Sequence, residues 1–442
     1  ENQAYTTAGG GGAISGSAAF SNADAEDSDG KRAASVEIAN WSSGYRNSPI
    51  DTSGLKITAI HETRFFAGTD STTASALGGS GAVSDVDVSV NSEVDLGNNV
   101  SFSADVIDID AINTLWHVTP SDTGFSNSVN AGSGGAINGS AAISYLDVHR
   151  LNSSVEIGNN ARLLVELDAA VQNANTISID AYSHFNVDDK VVLVVGGAFQ
   201  GAGVESSVDV DSSNTITIGH DTQIVNAVDK IGLGTYAWGS ASATGNVSLY
   251  AAAGAAGGYS ESLVDANNSV TLGDDVLIDA YGLINVLAGR SSDYLTQNDV
   301  RSSADTNIYI GAAIPVPAGW GADAVTTVNN TLTFGQDVEV TSVGNIWIEA
   351  NEGRVDADHK GVMRNIYQAI ASTETNFGSS ETKGDSQFIF NGNSTIEAGN
   401  RHQQILNIAS NGTWTTNDGF VGTVENYGDF SSRESLATYI ND

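Results

Sequence analysis

The chain repeats a short run in which apolar and polar residues alternate and which ends in glycine. It recurs at roughly 60-residue intervals, a spacing typical of repeat architectures. The five clear copies are Val94-Asp95-Leu96-Gly97, Val155-Glu156-Ile157-Gly158, Ile216-Thr217-Ile218-Gly219, Val270-Thr271-Leu272-Gly273 and Leu332-Thr333-Phe334-Gly335. We interpret Val36-Glu37-Ile38-Ala39 as an earlier copy and the segment from Ser394 to Gly399 as a degraded late one. Alternation with period two predicts a strand with one buried and one exposed face.

Each copy continues with the same local order. An Asn stands just before the run, at Asn91, Asn152, Asn214, Asn268 and Asn330. A polar pair such as Asn159-Asn160 follows the glycine, and then come a second and a third alternating run, such as Val276-Leu277-Ile278 and Ile177-Ser178-Ile179. Gly and Asn tolerate left-handed backbone, so the glycine and polar pair predict a tight corner.

Three short strands with corners occupy roughly 20 residues, about one coil of a parallel β-helix. We therefore predict an all-β fold, a right-handed parallel β-helix (β-solenoid) in which each 60-residue repeat forms about three coils. Segments 135–143 and 191–198 would supply the other coils. Tandem antiparallel sandwich domains of the immunoglobulin type remain the alternative.

Residues 1–400 are predicted to form the solenoid, and residues 401–442 to form a C-terminal cap or the start of a next module, with a short helix over 435–440. Insertions are expected at 41–50, 115–127 and 351–380, where the alternation fails. Because the chain starts within the pattern, we expect it to be a piece of a longer polypeptide.

The apolar members of the five clear copies are predicted to be buried in stacked rows. They are Val94, Leu96, Val155, Ile157, Ile216, Ile218, Val270, Leu272, Leu332 and Phe334. Burying each would contribute about 1.5–3 kcal/mol. The residues between them, Asp95, Glu156, Thr217, Thr271 and Thr333, are expected to face solvent.

These phrases resemble the filamentous-haemagglutinin and leukotoxin-type filamentous adhesins, a family of two-partner-secreted β-helix exoproteins. The resemblance is carried by residues 152–163 with 177–181 and by residues 268–278, and it covers roughly 8–400. It implies a right-handed parallel β-helix, secretion, and a role in adhesion, aggregation or biofilm matrix. It implies no catalytic residue.

Composition limits the possible partners. The 17 basic and 53 acidic residues give a net charge of −36, which repels nucleic-acid phosphates and anionic lipid surfaces. No apolar run approaches the roughly 18 residues of a membrane span. There is no cysteine, which excludes thiolate metal sites and cysteine nucleophiles. We expect neither nucleic-acid binding nor membrane insertion, and an extracellular or bacterial cell-surface location.

Carboxylates are the candidate chemistry. Asp105, Asp108 and Asp110, or Asp209 with Asp211, could serve a polysaccharide-active β-helix enzyme, the weakest alternative. Calcium could meet the pairs Asp85 and Asp87, Asp188 and Asp189, Asp209 and Asp211, or Asp274 and Asp275. The seven histidines are scattered and form no His-Glu-x-x-His motif. No catalytic or cofactor-binding residue is assigned, and divalent cations are expected chiefly to screen acidic ladders.

The function expected from the sequence is structural, not enzymatic: a segment of a secreted bacterial surface adhesin or extracellular-matrix fibre. The alternative is a self-assembling filament subunit. Partners would be other copies of the chain or other surface and matrix components. Contacts are expected at the aromatic-bearing regions 41–45 and 414–430, because aromatics are enriched in binding surfaces.

Overall fold

Every regular element that a computed structural model describes in this chain is a β-strand. The structure describes residues 2–26, 34–41, 50–117, 128–165, 176–365, 378–392 and 394–398, and the backbone of four further strands between 405 and 433. No helix occurs in these ranges, and hence none that is long and apolar enough to cross a membrane. The predicted all-β class is confirmed. The helix predicted over 435–440 lies outside the described residues.

The strands are, in chain order, β1 (Asn2–Glu26), β2 (Ala34–Ile38), β3 (Ile50–Thr52), β4 (Leu55–Leu96), β5 (Ser101–Ala104), β6 (Ile107–His117), β7 (Val129–Ile157), β8 (Arg162–Val165), β9 (Thr176–Ile218), β10 (Gln223–Asn226), β11 (Lys230–Leu272), β12 (Leu277–Ala280), β13 (Ile284–Ala288), β14 (Asp299–Phe334), β15 (Val338–Ser342), β16 (Ile346–Ala350), β17 (Arg354–Asn365), β18 (Gly378–Phe390), β19 (Ser394–Ala398), β20 (Ile405–Ser410), β21 (Trp414–Thr416), β22 (Thr423–Asn426) and β23 (Asp429–Arg433).

Pairing between these strands is parallel and joins them into a 15-stranded and an 8-stranded sheet. Val94 pairs with Val155, Val155 with Ile216, and Ile216 with Val270, so equivalent residues of successive repeats lie side by side. Their separation along the chain is 54 to 62 residues. Parallel pairing at this spacing excludes the antiparallel sandwich array.

The expectation of about three coils per repeat is wrong. Three coils would pair residues roughly 20 positions apart, whereas each repeat forms one broad layer that pairs with the layers on either side. The two segments assigned to extra coils, 135–143 and 191–198, lie within the long strands β7 and β9. A strand of 43 residues such as β9 uses most of a repeat by itself.

Each long strand folds back on itself. In β9, Val191 and Leu193 share an apolar cluster with Val204 of the same strand, while Phe185 shares a second cluster with Val208. The strand must therefore reverse between its two arms. The reversal lies at Gly197, whose φ of +156° disfavours other residues. A Cβ there would lie 1.8 Å from the Gly135 carbonyl oxygen in the neighbouring layer.

The third and largest apolar cluster is enclosed by the three runs of each repeat. In one layer these are Ile216 and Ile218 of β9, Ile224 of β10, and Ile231 and Leu233 of β11. All ten residues predicted to be buried belong to this cluster and are at most 1% exposed. The five residues between them are exposed or half-buried. The predicted orientation of this run is confirmed.

The glycine and the polar pair form the predicted tight corners. The second polar residue of each pair is left-handed, with φ between 53° and 61°, at Asn99, Asn160, Asp221, Asp275 and Asp337. The first polar side chain accepts a hydrogen bond from the backbone of the next layer. Thus Asn98 Oδ1 accepts from Asn159 N at 2.7 Å, and Asn159 Oδ1 from His220 N at 2.8 Å. This ladder ties each layer to the next.

A buried amide ladder precedes the same run. Asn214 Nδ2 donates to Asn268 Oδ1, and Asn268 Nδ2 donates to Asn330 Oδ1, both at 3.0 Å. In the two earlier copies, the residue that enters this buried column stands one position after the Asn that precedes the run in the sequence. Ser92 and Ser153 occupy the inward column, while Asn91 and Asn152 pair in the neighbouring outward column.

Of the two outlying copies, the late one needs correction. Ser394 to Ala398 is not the late copy of the glycine-terminated run, because β19 pairs with β15 in the smaller sheet. The late copy is Phe388 to Phe390, which pairs with Leu332 to Phe334 and is followed by Asn-Gly in place of Gly. The early copy at Val36 is confirmed by its pairing with Val94.

The predicted insertions are wrong where the structure places their residues in strands. Residues 354–365 form β17 inside the sheet, and 115–117 end β6. The rest of the expected insertion at 115–127, and residues 42–49 and 366–377, lie outside the described residues. An insertion that the alternation did not reveal runs from Gly289 to Asn298.

Strands β20 to β23 of the C-terminal region pair in parallel with the preceding layer. The assignment of 401–442 as a cap or a new module stays a prediction. In the described part of the chain, the column from Val36 to Trp414 holds eight residues. At about 4.8 Å per layer the stack is about 34 Å high.

Candidate functional site

The first candidate is the predicted carboxylate group on β6. Asp108 and Asp110 share one outward face, where Lys56 of the preceding layer contacts them at 2.5 and 3.4 Å. Burial, and to a smaller extent Asp108, raises the pKa of Asp110. Asp105 lies before the strand and is not part of this contact. Lys56 therefore makes this an ion-paired group.

Asp180 pairs with Asp110 in the next layer and was not anticipated. Its two oxygens accept from Ser292 N at 2.8 Å and Ser292 Oγ at 2.5 Å, so it anchors the insertion 289–298. Burial raises the pKa of Asp180 to about 7, against the opposing effect of Ser292. With Ser292 engaging both oxygens, the carboxylate holds the insertion against the sheet.

The second candidate is an acidic face on the returning arms, the parts of the long strands that follow the reversal. Asp87, Asp147 and Asp209 stack in one outward column. His149 lies between the first two, with Nε2 3.3 Å from Asp87 Oδ1 and Nδ1 3.0 Å from Asp147 Oδ1. Burial, followed by repulsion from Asp211, Asp147 and Glu261, raises the pKa of Asp209 to about 6. This face therefore places several carboxylates close together.

The predicted acidic pairs thus lie in different environments. Asp85 with Asp87 and Asp209 with Asp211 come together on this face. Asp274 and Asp275 form a corner. Asp189 is fully buried, where Ser144 and Ser206 donate to it. Within the described ranges, no three His, Cys, Asp or Glu side chains are placed to hold a metal ion.

A third surface is the edge where the long strands reverse, which we call the tip edge. One column there carries Ile14, Leu77, Ile137, Phe199, Ala253 and Ile314 in register. Its five large side chains are 43% to 76% exposed. The flanking segments 71–84, 131–144, 191–204, 245–260 and 306–322 contain no Asp, Glu, Lys or Arg. The tip edge is apolar and uncharged on a molecule of net charge −36.

A fourth surface is an aromatic groove of about 250 Å³. It lies on the outgoing arms, the parts of the long strands that precede the reversal. His184 stands between two tryptophans, with ring centroids 4.6 Å from Trp116 and 4.0 Å from Trp238. Polar groups border the rings. Arg301 Nε and Nη2 reach Asp299 at 2.9 and 2.8 Å, and Ser240 Oγ donates to Asn186 Oδ1 at 3.1 Å. Burial lowers the pKa of His184, which favours the neutral ring.

No family model, curated protein or solved structure matches this chain.

The resemblance to filamentous adhesins therefore stays a prediction from sequence, and the surfaces must be interpreted from their own chemistry. Of the predicted contact regions, Trp41 packs edge-on against Phe102 with ring centroids 5.5 Å apart. Residues 42–45 and the side chains of 414–430 lie outside what the structure describes.

Sequence reasoning missed the groove and the tip edge because their members are far apart in the chain. The signal for the groove was the third alternating run. When repeats are aligned at Ile177 and Ile231, His184 and Trp238 fall in the same column. The signal for the tip edge was the absence of charged residues around Leu77, Ile137 and Phe199.

Proposed function

We propose that the chain is a right-handed parallel β-solenoid and a structural segment of a secreted bacterial surface adhesin or extracellular-matrix fibre. The observation that carries this proposal is the corner ladder, in which a corner side chain of one layer accepts a hydrogen bond from the backbone of the next, in five successive steps from Asn40 to Gln336. Such a unit can be repeated without a limit set by a closed core, as in repeat proteins generally. The acidic exterior keeps the structure soluble.

Immunogold labelling of intact source cells tests this role. Antibodies raised against the purified chain should label the surface of unpermeabilised cells, or material between cells. Antibodies against a cytoplasmic protein serve as the control and should label only permeabilised cells. Label confined to permeabilised cells would refute a surface or matrix role.

A second candidate function, self-assembly into filaments or lateral bundles, is favoured by the tip edge. Two molecules of charge −36 repel wherever acidic faces meet, whereas two tip edges bring together apolar side chains without charge. The occupant we propose is the tip edge of a second copy, whose layers have the same spacing. Exposed apolar rows of this kind commonly mark association surfaces.

Sedimentation velocity at several protein concentrations tests self-association. The wild type should associate more strongly as salt is raised, because salt screens the repulsion of the acidic faces. The double variant Ile137→Asp, Phe199→Asp should remain monomeric. Leu295→Asp is the matched control, since Leu295 is 85% exposed on the 289–298 insertion, away from the tip. Equal association of all three proteins would exclude the tip edge.

A further inference from the structure

The aromatic groove is built by two adjacent outward columns of the parallel sheet. One column contains Thr114, His184, Trp238 and Asp299, and the other contains Trp116, Asn186, Ser240 and Arg301. Four consecutive layers therefore contribute, and the groove extends over about 14 Å along the stack. Trp238 is 44% exposed, an unusual position for a tryptophan whose apolar ring gains by burial.

The groove keeps its depth because of what lies beneath it. Gly239 sits between Trp238 and Ser240, and a Cβ at this glycine would lie 2.6 Å from Cγ of the Phe185 ring. The buried Phe185 ring therefore fills the space under Gly239 and supports the aromatic side chains above it. Residues on a sheet with a packed floor hold their positions without a ligand, which lowers the entropic cost of binding.

The charge of the groove is balanced. Asp299 is held by two hydrogen bonds from Arg301, and the His184 pKa is lowered by burial. What the groove offers is aromatic faces with amide, hydroxyl and guanidinium groups at their edges, the combination of apolar surface and few polar groups found in small-molecule sites. Anionic ligands would meet the field of a molecule of charge −36.

We infer that the groove binds a short stretch of a neutral polysaccharide. The C–H faces of sugar rings would pack on Trp238 and Trp116, and their hydroxyl groups would bond Asn186, Ser240 and the outer edges of the Asp299–Arg301 pair. The elongated shape across four layers fits an oligosaccharide better than a single sugar. The inference goes beyond the proposed structural role and holds for an adhesin segment and for a fibre subunit alike.

Affinity gel electrophoresis tests this inference with the whole chain. Native gels containing hydroxyethyl cellulose, galactomannan or dextran are compared with a gel that contains heparin as the polyanion. At least one neutral polysaccharide should retard the wild type, and heparin should not. Trp238→Ala should weaken the retarding interaction at least tenfold. Tyr281→Ala, which removes a ring that is 62% exposed elsewhere on the surface, should leave it unchanged.

Tryptophan fluorescence keeps the test decisive if Trp238→Ala does not fold. The same neutral polysaccharide should shift or quench the emission of the wild type and of Tyr281→Ala, since Trp116 and Trp238 are at the groove. Three results would overturn the inference: no neutral polysaccharide binds the wild type, binding survives in folded Trp238→Ala, or heparin alone binds. None of these results bears on whether the chain is found at the cell surface.

Discussion

Two ladders in this molecule stack similar side chains in register, with opposite consequences. Inside, Asn214, Asn268 and Asn330 are at most 1% exposed; the Asn214 amide donates to Asn268 Oδ1, and the Asn268 amide donates to Asn330 Oδ1. Outside, Asp87, Asp147 and Asp209 stack in the same way on the returning arms. An amide both donates and accepts, so amides in a column can bond from one layer to the next, whereas ionised carboxylates only accept.

The comparison shows that parallel, in-register layers amplify the chemistry of whichever residue repeats. A self-complementary side chain becomes a continuous hydrogen-bonded column, and a charged one becomes a line of repelling groups. The acidic column reduces this repulsion by placing His149 between Asp87 and Asp147 and by raising the pKa of Asp209. Substitutions that exchange the two chemistries should therefore change stability in opposite directions.

The largest effect is expected for Asn268→Asp. This change puts a carboxylate, which cannot donate to Asn330, into a buried site between two amides. We expect a loss of about 3–5 kcal/mol at neutral pH, as when a buried charge loses its partner. Urea unfolding measures it. Asn267→Asp adds the same charge at the adjacent exposed position and is the control; an equal loss in both variants would contradict the role of the ladder.

The next effect concerns the close approach of layers at the corner. In Gly219→Ala the new Cβ would meet Asn159 Oδ1 at 2.6 Å and the Asn159 nitrogen at 2.7 Å in the neighbouring layer. We expect a destabilisation of about 1–3 kcal/mol, typical of overpacking. Gly201→Ala is the control, because its Cβ would have no neighbour within 4 Å. Thermal melts of the two variants should separate; coincident melts would show that the corner tolerates a wider spacing.

A smaller and opposite effect is expected in the acidic column. Asp147→Asn removes the central charge and restores a group that can donate, so the variant should be more stable by about 0.2–1 kcal/mol. The gain should shrink in high salt, which screens the repulsion in the wild type. Asp70→Asn is the control, since its partners in the adjacent layers, Thr7 and Asn130, are uncharged. Stabilisation by both substitutions alike would indicate a general effect of net charge.

The smallest effect is the pH dependence that comes from Asp209, because this side chain is only half-buried and solvent screens its interactions. Its pKa is about 6 in the folded chain against 3.8 for an ordinary aspartate. Because the folded state holds the proton more tightly, this group makes stability fall as pH rises from about 4 to about 6. Asp209→Asn should therefore gain on the wild type across that interval and stay level above it. Melting temperatures of the two proteins that change in parallel with pH would contradict this assignment.

Much of the fold was predictable because buried alternation is a strong local signal. The Val94 and Leu96 columns and the corners at Asn99 and Asn160 follow from residue type and spacing alone. The number of layers per repeat was not predictable. Local alternation reveals that a strand exists but not whether it turns after a few residues, and β9 continues to the reversal at Gly197.

The candidate surfaces were less accessible to sequence reasoning. Acidic pairs such as Asp209 and Asp211 could be located, but their grouping with Asp87 and Asp147 depends on the register between layers. The groove requires Trp116, His184 and Trp238 to meet from three strands. Residues form such a site when they occupy the same or adjacent columns of the stack. Their columns can be assigned only when the number of residues in one layer is known.

The claim that one repeat forms one layer is tested most directly by a distance. Asp95, Glu156, Thr217, Thr271 and Thr333 occupy one outward column in five successive layers. The chain has no cysteine, so Asp95→Cys with Thr333→Cys gives a specific pair of spin labels. Pulsed electron paramagnetic resonance should give a separation near 20 Å, four layers at about 4.8 Å each. A separation near 60 Å, as three coils per repeat would require, would contradict the layered architecture.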